Sequence, residues 1–223
     1  MEQWVTIQAQ PSPLEIDPIR TAVWVVDMQN AYVKKGGMMD LLGLDISGAQ
    51  KIIEPINGII GVARANEIKI IYTITWHTKD NADLRGPNYA PWHKNISLRM
   101  PERKQICTFS HTWGAEIVDE LKPKKGDVIT HKTRYDAFFQ TNLETTLTAC
   151  GIKYLIVVGT ATNICVEDSI RGAFSRGYFP ILATDATAPI GPPFMQQAAE
   201  FNIKACYGWV ADSEQIIDAI NLK

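Results

Sequence analysis

The chain has 223 residues, 46% of them hydrophobic and 21% charged, a balance that suits one soluble globular domain with a substantial core. A formal charge of −2 and a pI near 6.1 provide no basic footprint, so neither nucleic acid nor an anionic membrane is expected as a partner. No apolar run approaches the roughly 20 residues of a membrane span, the first 20 residues lack a basic stretch followed by an apolar one, and four cysteines without a CxxC pair suggest reduced thiols. A cytoplasmic location is expected.

Residues 1–16 form a proline-containing lead. Thr21-Ala-Val-Trp-Val-Val-Asp27 is a continuous apolar run of the kind seen in strands buried on both faces, and it ends at an acid. Asp45 or Ser47 can cap a helix whose stripe of Ile52, Ile53, Ile56, Ile59, Ile60 and Ala63 closes near Asn66. Ile68 to Thr75 reads as a second strand. Periodicity is then lost from Trp76 to His111, and so long a stretch in a compact domain points to a lid or site wall. Trp113 to Leu121 reads as helical, and Asp127 to Lys132 as a third strand. Thr141-Asn-Leu-Glu144 matches a capping box that opens a helix to Cys150. Tyr154 to Gly159 is the fourth strand, Phe179 to Asp185 the fifth and Ile203 to Val210 the sixth. Phe194 to Phe201 is helical between the last two, and Asp212 or Ser213 caps a closing helix to Leu222.

This alternation predicts one domain of the α/β class, a three-layer α-β-α sandwich around a six-stranded parallel sheet with right-handed crossovers. Ligands of such sheets bind outside the carboxyl ends of the strands. Asp27, Lys132 and the turn before Cys165 all fall there. Thr162 and Asn163 are N-cap residue types, and a helix N-terminus favours an anion, so Cys165 in the first turn can be a reactive thiolate. Taken alone, a free cysteine is more often a small buried hydrophobe, Asp27 a turn acid and Lys132 a solvated strand end. Together they supply a nucleophile, a carboxylate that takes its proton and a cation that orients the carboxylate. His131 faces away from Lys132 in an alternating strand and is not the base. Backbone N–H groups around Ala161, Thr162 and Cys165 can form an oxyanion hole. Asn30, Tyr32, Trp76, Asn88 and Tyr135 are amide and aromatic residues suited to a small polar planar ligand. A phosphatase with Asp27 as nucleophile would need an acid where Gln29 stands, and no P-loop or GxGxxG follows any strand.

Val25-Val-Asp27-Met-Gln29-Asn30, Lys132 at the end of a strand, and Gly159-Thr-Ala-Thr162-Asn-Ile-Cys165-Val resemble, in order and spacing, the isochorismatase-like cysteine hydrolases. The resemblance spans about residues 17–222. It implies that Asp27, Lys132 and Cys165 are a catalytic triad, that the peptide between Ala161 and Thr162 is cis, and that the enzyme forms homo-oligomers, dimers or tetramers; Trp92 and Trp209 are candidates for an interface. Cys165 separates the chain from true isochorismatases, which hydrolyse a vinyl ether without this nucleophile, and favours C–N hydrolysis. Nicotinamidases carry an Asp-x-His metal motif where this chain has Thr75-Trp-His77, so no metal or other cofactor is expected, and His77 and His93 read as plain loop residues. Within the superfamily, Gly86-Pro-Asn88, Trp92-His93-Lys94, Arg134-Tyr135 and Phe138-Phe139 are most similar to the amidohydrolases that cleave ureidoacrylate in pyrimidine degradation, releasing ammonia through a thioester-type intermediate. The chain departs from that branch at Ile74-Thr75-Trp76-His77, where an asparagine-glycine-tryptophan sequence stands. Biuret-like compounds and simple carboxamides are the alternative substrates, and a catalytically inactive interaction protein is the alternative role.

Overall fold

Every residue of the two central strands, Thr21–Val26 (β3) and Tyr154–Thr160 (β6), is buried, as their unbroken apolar sequences require. The computed structural model describes residues 4–78 and 108–221. With Lys69–Thr75 (β4), Val128–Lys132 (β5), Phe179–Ala188 (β7) and Trp209–Ala211 (β8), these strands form a six-stranded sheet in the order β5-β4-β3-β6-β7-β8. All neighbouring pairs are parallel. The sheet grows one way from β3 and the other way from β6, so the crevice between their carboxyl ends is its topological switch point.

Side chains alternate across β3. Val23 and Val25 face a layer that holds Ile56, Ile59, Ile60 and Ala63 of the helix Ile53–Ala65, together with Ile216 and Ile220 of the closing helix Ser213–Ile220. Ala22, Trp24 and Val26 face Leu143 and Leu147 of the helix Leu143–Ala149, and Ile170 and Ala173 of the helix Glu167–Ser175. These two layers complete the α-β-α sandwich expected from the alternation. Asp212 caps the closing helix through a reciprocal pair with Gln215.

Several boundaries differ from the sequence expectation. The lead is ordered, with Val5–Ile7 (β1) and Leu14–Ile16 (β2) paired antiparallel and Ile7 and Ile16 fully buried. The helix over Trp113–Leu121 is instead two 3₁₀ turns, Trp113–Ala115 and Asp119–Leu121. The residues between are drawn out against Met28–Asn30: Asn30 N–H donates to Glu116 O at 2.9 Å and Val118 N–H to Met28 O at 3.0 Å. Ile203–Tyr207 continues the helix Phe194–Asn202 as a π-helical turn, which leaves only three residues for β8. Gly208 makes the break, because a Cβ there would stand 2.3 Å from Pro180 O. Asn142 occupies the N-cap position of the helix Leu143–Ala149 without a side-chain cap, while Thr141 Oγ1 accepts from Leu143 N–H at 3.2 Å; Ile46 precedes the turn Ser47–Lys51 in the same way, and Asp45 Oδ1 accepts from Ser47 N–H at 2.8 Å. Most of the proposed lid, residues 79–107, lies outside the described residues. Its two flanks are tied together by His77 N–H to Thr108 O at 3.0 Å and Ser110 N–H to His77 O at 2.7 Å. No described helix is long and apolar enough to cross a membrane.

Candidate active site

Three strand ends and one turn build the polar pole of a cavity of about 250 Å³ at the switch point. Val26 pairs with Gly159 across the β3–β6 seam, and a Cβ at Gly159 would fall 2.1 Å from Val26 O. Gly159 also has φ +116, so only glycine lets the two strands close up where the site begins. The next residue on β3, Asp27, has φ +49, a conformation that aspartate tolerates better than most side chains and that turns the chain out of the strand. Its N–H still donates to Thr73 O at 2.9 Å, which fixes it to β4.

Asp27 and Lys132 are each 1% exposed, and Lys132 Nζ lies 2.7 Å from Asp27 Oδ2. The ammonium also donates to Thr75 Oγ1 at 3.2 Å and to Arg134 O at 3.1 Å. Thr75 Oγ1 donates in turn to Asp27 Oδ1 at 3.3 Å. Cys165, 9% exposed, contacts both Asp27 and Lys132 through its thiol. Burial disfavours the Lys132 ammonium, but Asp27 and Cys165 outweigh it and push its pKa up to about 12. Burial also pushes the Cys165 thiol up, and Asp27 adds to this against the opposing pull of Lys132. The helix terminus suggested a standing thiolate. Burial dominates instead, and the resting site holds an ion pair beside a neutral thiol.

Cys165 belongs to a π-helical turn, Thr162–Val166, that leads into the helix Glu167–Ser175. The cis peptide is Thr160–Ala161, one residue before the position implied by resemblance, because β6 pairing runs on through Thr160, opposite Ala188. Ala161 occupies the N-cap position, and neither Thr162 nor Asn163 caps the turn. Asn163 instead clamps the backbone of Ile190, donating to its O at 3.1 Å and accepting from its N–H at 3.0 Å. Of the three expected oxyanion-hole residues, Ala161 and Cys165 line the cavity, while the buried Thr162 hydroxyl has no partner among the described residues.

The expected substrate residues divide. Tyr32 and Tyr135 line the cavity. Tyr32 is half-buried and its hydroxyl bonds Thr75; burial, followed by the charge of Asp27, pushes it well up. Burial, and the charge that Cys165 carries once deprotonated, likewise push Tyr135 up to about 12, against Lys132. Asn30 points elsewhere, its amide donating to Trp113 O at 2.9 Å. Trp76 stacks on His131 at 4.5 Å and meets His111 edge-on, away from the cavity. Asn88 and His93 lie outside the described residues. His77 is buried and paired with Phe109 through a β-bridge. Among the described residues no group of three His, Cys, Asp or Glu side chains could hold a metal ion.

Thr75 stood out in the sequence only as a departure from the motifs of related branches, and a threonine closing a strand carries no signal of a bond to Asp27 and Lys132. Gln29 joins β3 to β4, its Nε2 donating to Thr75 O at 2.8 Å and its Oε1 accepting from Thr75 N–H at 2.8 Å. The residue that excluded a second metal-binding acid therefore holds the site together. Met38, Met39, Leu42, Leu44, Ile164 and Ile190 form an apolar wall opposite the pole.

The model of the isochorismatase domain matches residues 21–215. The ureidoacrylate amidohydrolase RutB of Agrobacterium fabrum is 44% identical over 211 residues, covering 93% of this chain and 92% of that protein. The RutB of Rhizobium rhizogenes is 44% identical over 213 residues, covering 94% and 87%. Among solved structures, a cysteine hydrolase from Pseudomonas syringae pv. phaseolicola superposes with a TM-score of 0.79 at 30% identity, covering 92% of this chain and 94% of that one.

Proposed function

The chain belongs to the isochorismatase family, and from that premise we propose that it is an amidohydrolase of ureidoacrylate, cleaving the terminal C–N bond of the ureide and releasing ammonia. The observation that carries this reading is the buried Asp27–Lys132 pair set against the Cys165 thiol at the switch point. The similarity to RutB proteins over more than nine tenths of the chain supports the choice of substrate.

The chemistry follows from the resting charges. A neutral thiol is a poor nucleophile, so attack on the ureide carbonyl requires its proton to leave as the C–S bond forms. Asp27 Oδ2 lies 2.7 Å from Lys132 Nζ and Oδ1 accepts from Thr75, each oxygen keeps a further lone pair, and the Cys165 thiol already contacts the carboxylate, so Asp27 can take that proton. Lys132 remains protonated throughout, given its raised pKa, and steadies both the carboxylate before transfer and the sulfur during it. The oxyanion forms against the backbone N–H groups of the turn at Ala161 and Cys165. Collapse breaks the bond to the terminal nitrogen, Asp27 returns the proton, and ammonia leaves. Water then adds to the thioester-type intermediate on Cys165 with Asp27 as base, freeing the thiol and a carbamate that loses carbon dioxide.

Ammonia release from ureidoacrylate, biuret and a plain carboxamide tests this reading, with Cys165→Ala in parallel. Turnover of ureidoacrylate that is lost in the variant is the expected result. Equal turnover by the variant would remove Cys165 as nucleophile, and turnover of carboxamides alone would replace the substrate.

A further inference from the structure

Asp27 is the one carboxylate and Arg134 the one cation among the described residues lining the cavity. Lys132 stands behind Asp27, off the cavity wall, and its 2.7 Å pair cancels the charge of Asp27. With the thiol neutral, the pole carries no net charge. Among the described residues lining the cavity, Arg134 is therefore a positive charge that no carboxylate pairs with.

The guanidinium is held in place without being used up. Its Nη1 donates to Thr133 O at 2.8 Å, and its carbon sits 5.9 Å from the centroid of the Phe139 ring. The Arg134 carbonyl accepts from Lys132 Nζ at 3.1 Å, so the backbone carrying the guanidinium is fixed to the catalytic ion pair. Among the described residues Nε and Nη2 have no acceptor, which leaves donors in the fork geometry that matches a carboxylate.

We infer that Arg134 is the specificity-determining residue of this site: it binds the carboxylate of an acidic ureide, and it sets the preference for such substrates over neutral ureides and carboxamides. The inference rests on the ureide reading above and ranks the alternatives within it. A short substrate places its carbamoyl group at Cys165, its unsaturated carbons along Ile164 and the Met38–Leu44 wall, and its anion at Arg134. Biuret has no anion to satisfy the guanidinium, and neither has a simple amide.

The test compares ureidoacrylate with its neutral methyl ester in the unaltered protein, in Arg134→Gln and in Arg134→Lys, with kcat and KM measured from ammonia release. In the unaltered protein the acid is favoured in kcat/KM by about 10- to 100-fold, the range expected of one charge-assisted pair. That ratio falls to about one in Arg134→Gln, through KM for the acid, and recovers in part in Arg134→Lys. Equal use of acid and ester by the unaltered protein overturns the inference, as does a loss in Arg134→Gln shared alike by both substrates. Should no ureide release ammonia in the unaltered protein, the ureide reading itself fails, an outcome distinct from a lost preference. Competitive inhibition of the unaltered protein by crotonate against crotonamide gives a second measurement that needs no variant. Stronger inhibition by the anion supports the inference, and equal inhibition overturns it.

Discussion

The polar pole of the cavity stands on the ends of β3, β4 and β5 and on the turn after β6, and each of its groups is tied to sheet backbone. The opposite wall comes mainly from the short helical turn Met38–Leu41 and the residues just after it, where Met39, Leu42 and Leu44 keep part of their surface exposed. Reacting groups must hold their geometry to within a fraction of an ångström, and strand ends in a six-stranded sheet do so. Methionine and leucine side chains on a short, partly exposed turn can adjust to a ligand instead, the unbranched methionines most of all. Chemistry and fit are thus assigned to parts of the chain with different stiffness.

The sharpest way to break this contrast is at Lys132. Lys132→Met strands Asp27 as a buried, unpaired carboxylate, and loss of one partner of such a pair costs about 3–5 kcal/mol. Urea denaturation should show that loss, and ammonia release should fall below detection. A fall no larger than that from Arg64→Met, which opens the more exposed pair with Asp127, would mean that the pole is not held together as described.

Thr75→Val sharpens the contrast within the pole. It removes the hydroxyl shared by Asp27, Lys132 and Tyr32 and nearly keeps the shape. The expected effect is a decrease in kcat of about 10- to 100-fold with a smaller change in KM, in line with a misplaced proton acceptor. A change in KM alone would assign Thr75 to substrate binding instead.

Met39→Ala, on the wall, should have the smallest effect. Stability should stay within about 0.5 kcal/mol, and KM should rise a few-fold, in keeping with about 1 kcal/mol for a partly exposed side chain that gives up part of its apolar contact, while kcat holds. A kcat loss comparable to that of Thr75→Val would erase the distinction between pole and wall.

What the sequence revealed follows the same division. Apolar runs ending at Asp27, Lys132 and Gly159 mark the strand ends, and a parallel sheet brings its carboxyl ends to one edge, so the pole could be placed without coordinates. The wall could not, because Met38 to Leu44 is too short for any periodicity to appear. Asn30 was misplaced because its partner, the Trp113 carbonyl, is 83 residues away and lies in a stretch that reads as helix but is drawn out against Met28–Asn30. The cis bond was off by one residue because only the pairing of Thr160 with Ala188 shows where β6 ends. Sequence reveals the helix terminus that favours a thiolate at Cys165 but not the depth of burial that opposes it.

The central claim is that Cys165 carries the substrate after giving its proton to Asp27. Acid quenching of the protein within one turnover of ureidoacrylate, followed by peptide mass analysis, tests it most directly. The account predicts that the peptide containing Cys165 gains the mass of the substrate less ammonia, and that Asp27→Asn accumulates no adduct. Turnover with Cys165 unmodified throughout, or an adduct formed equally fast in Asp27→Asn, would contradict it.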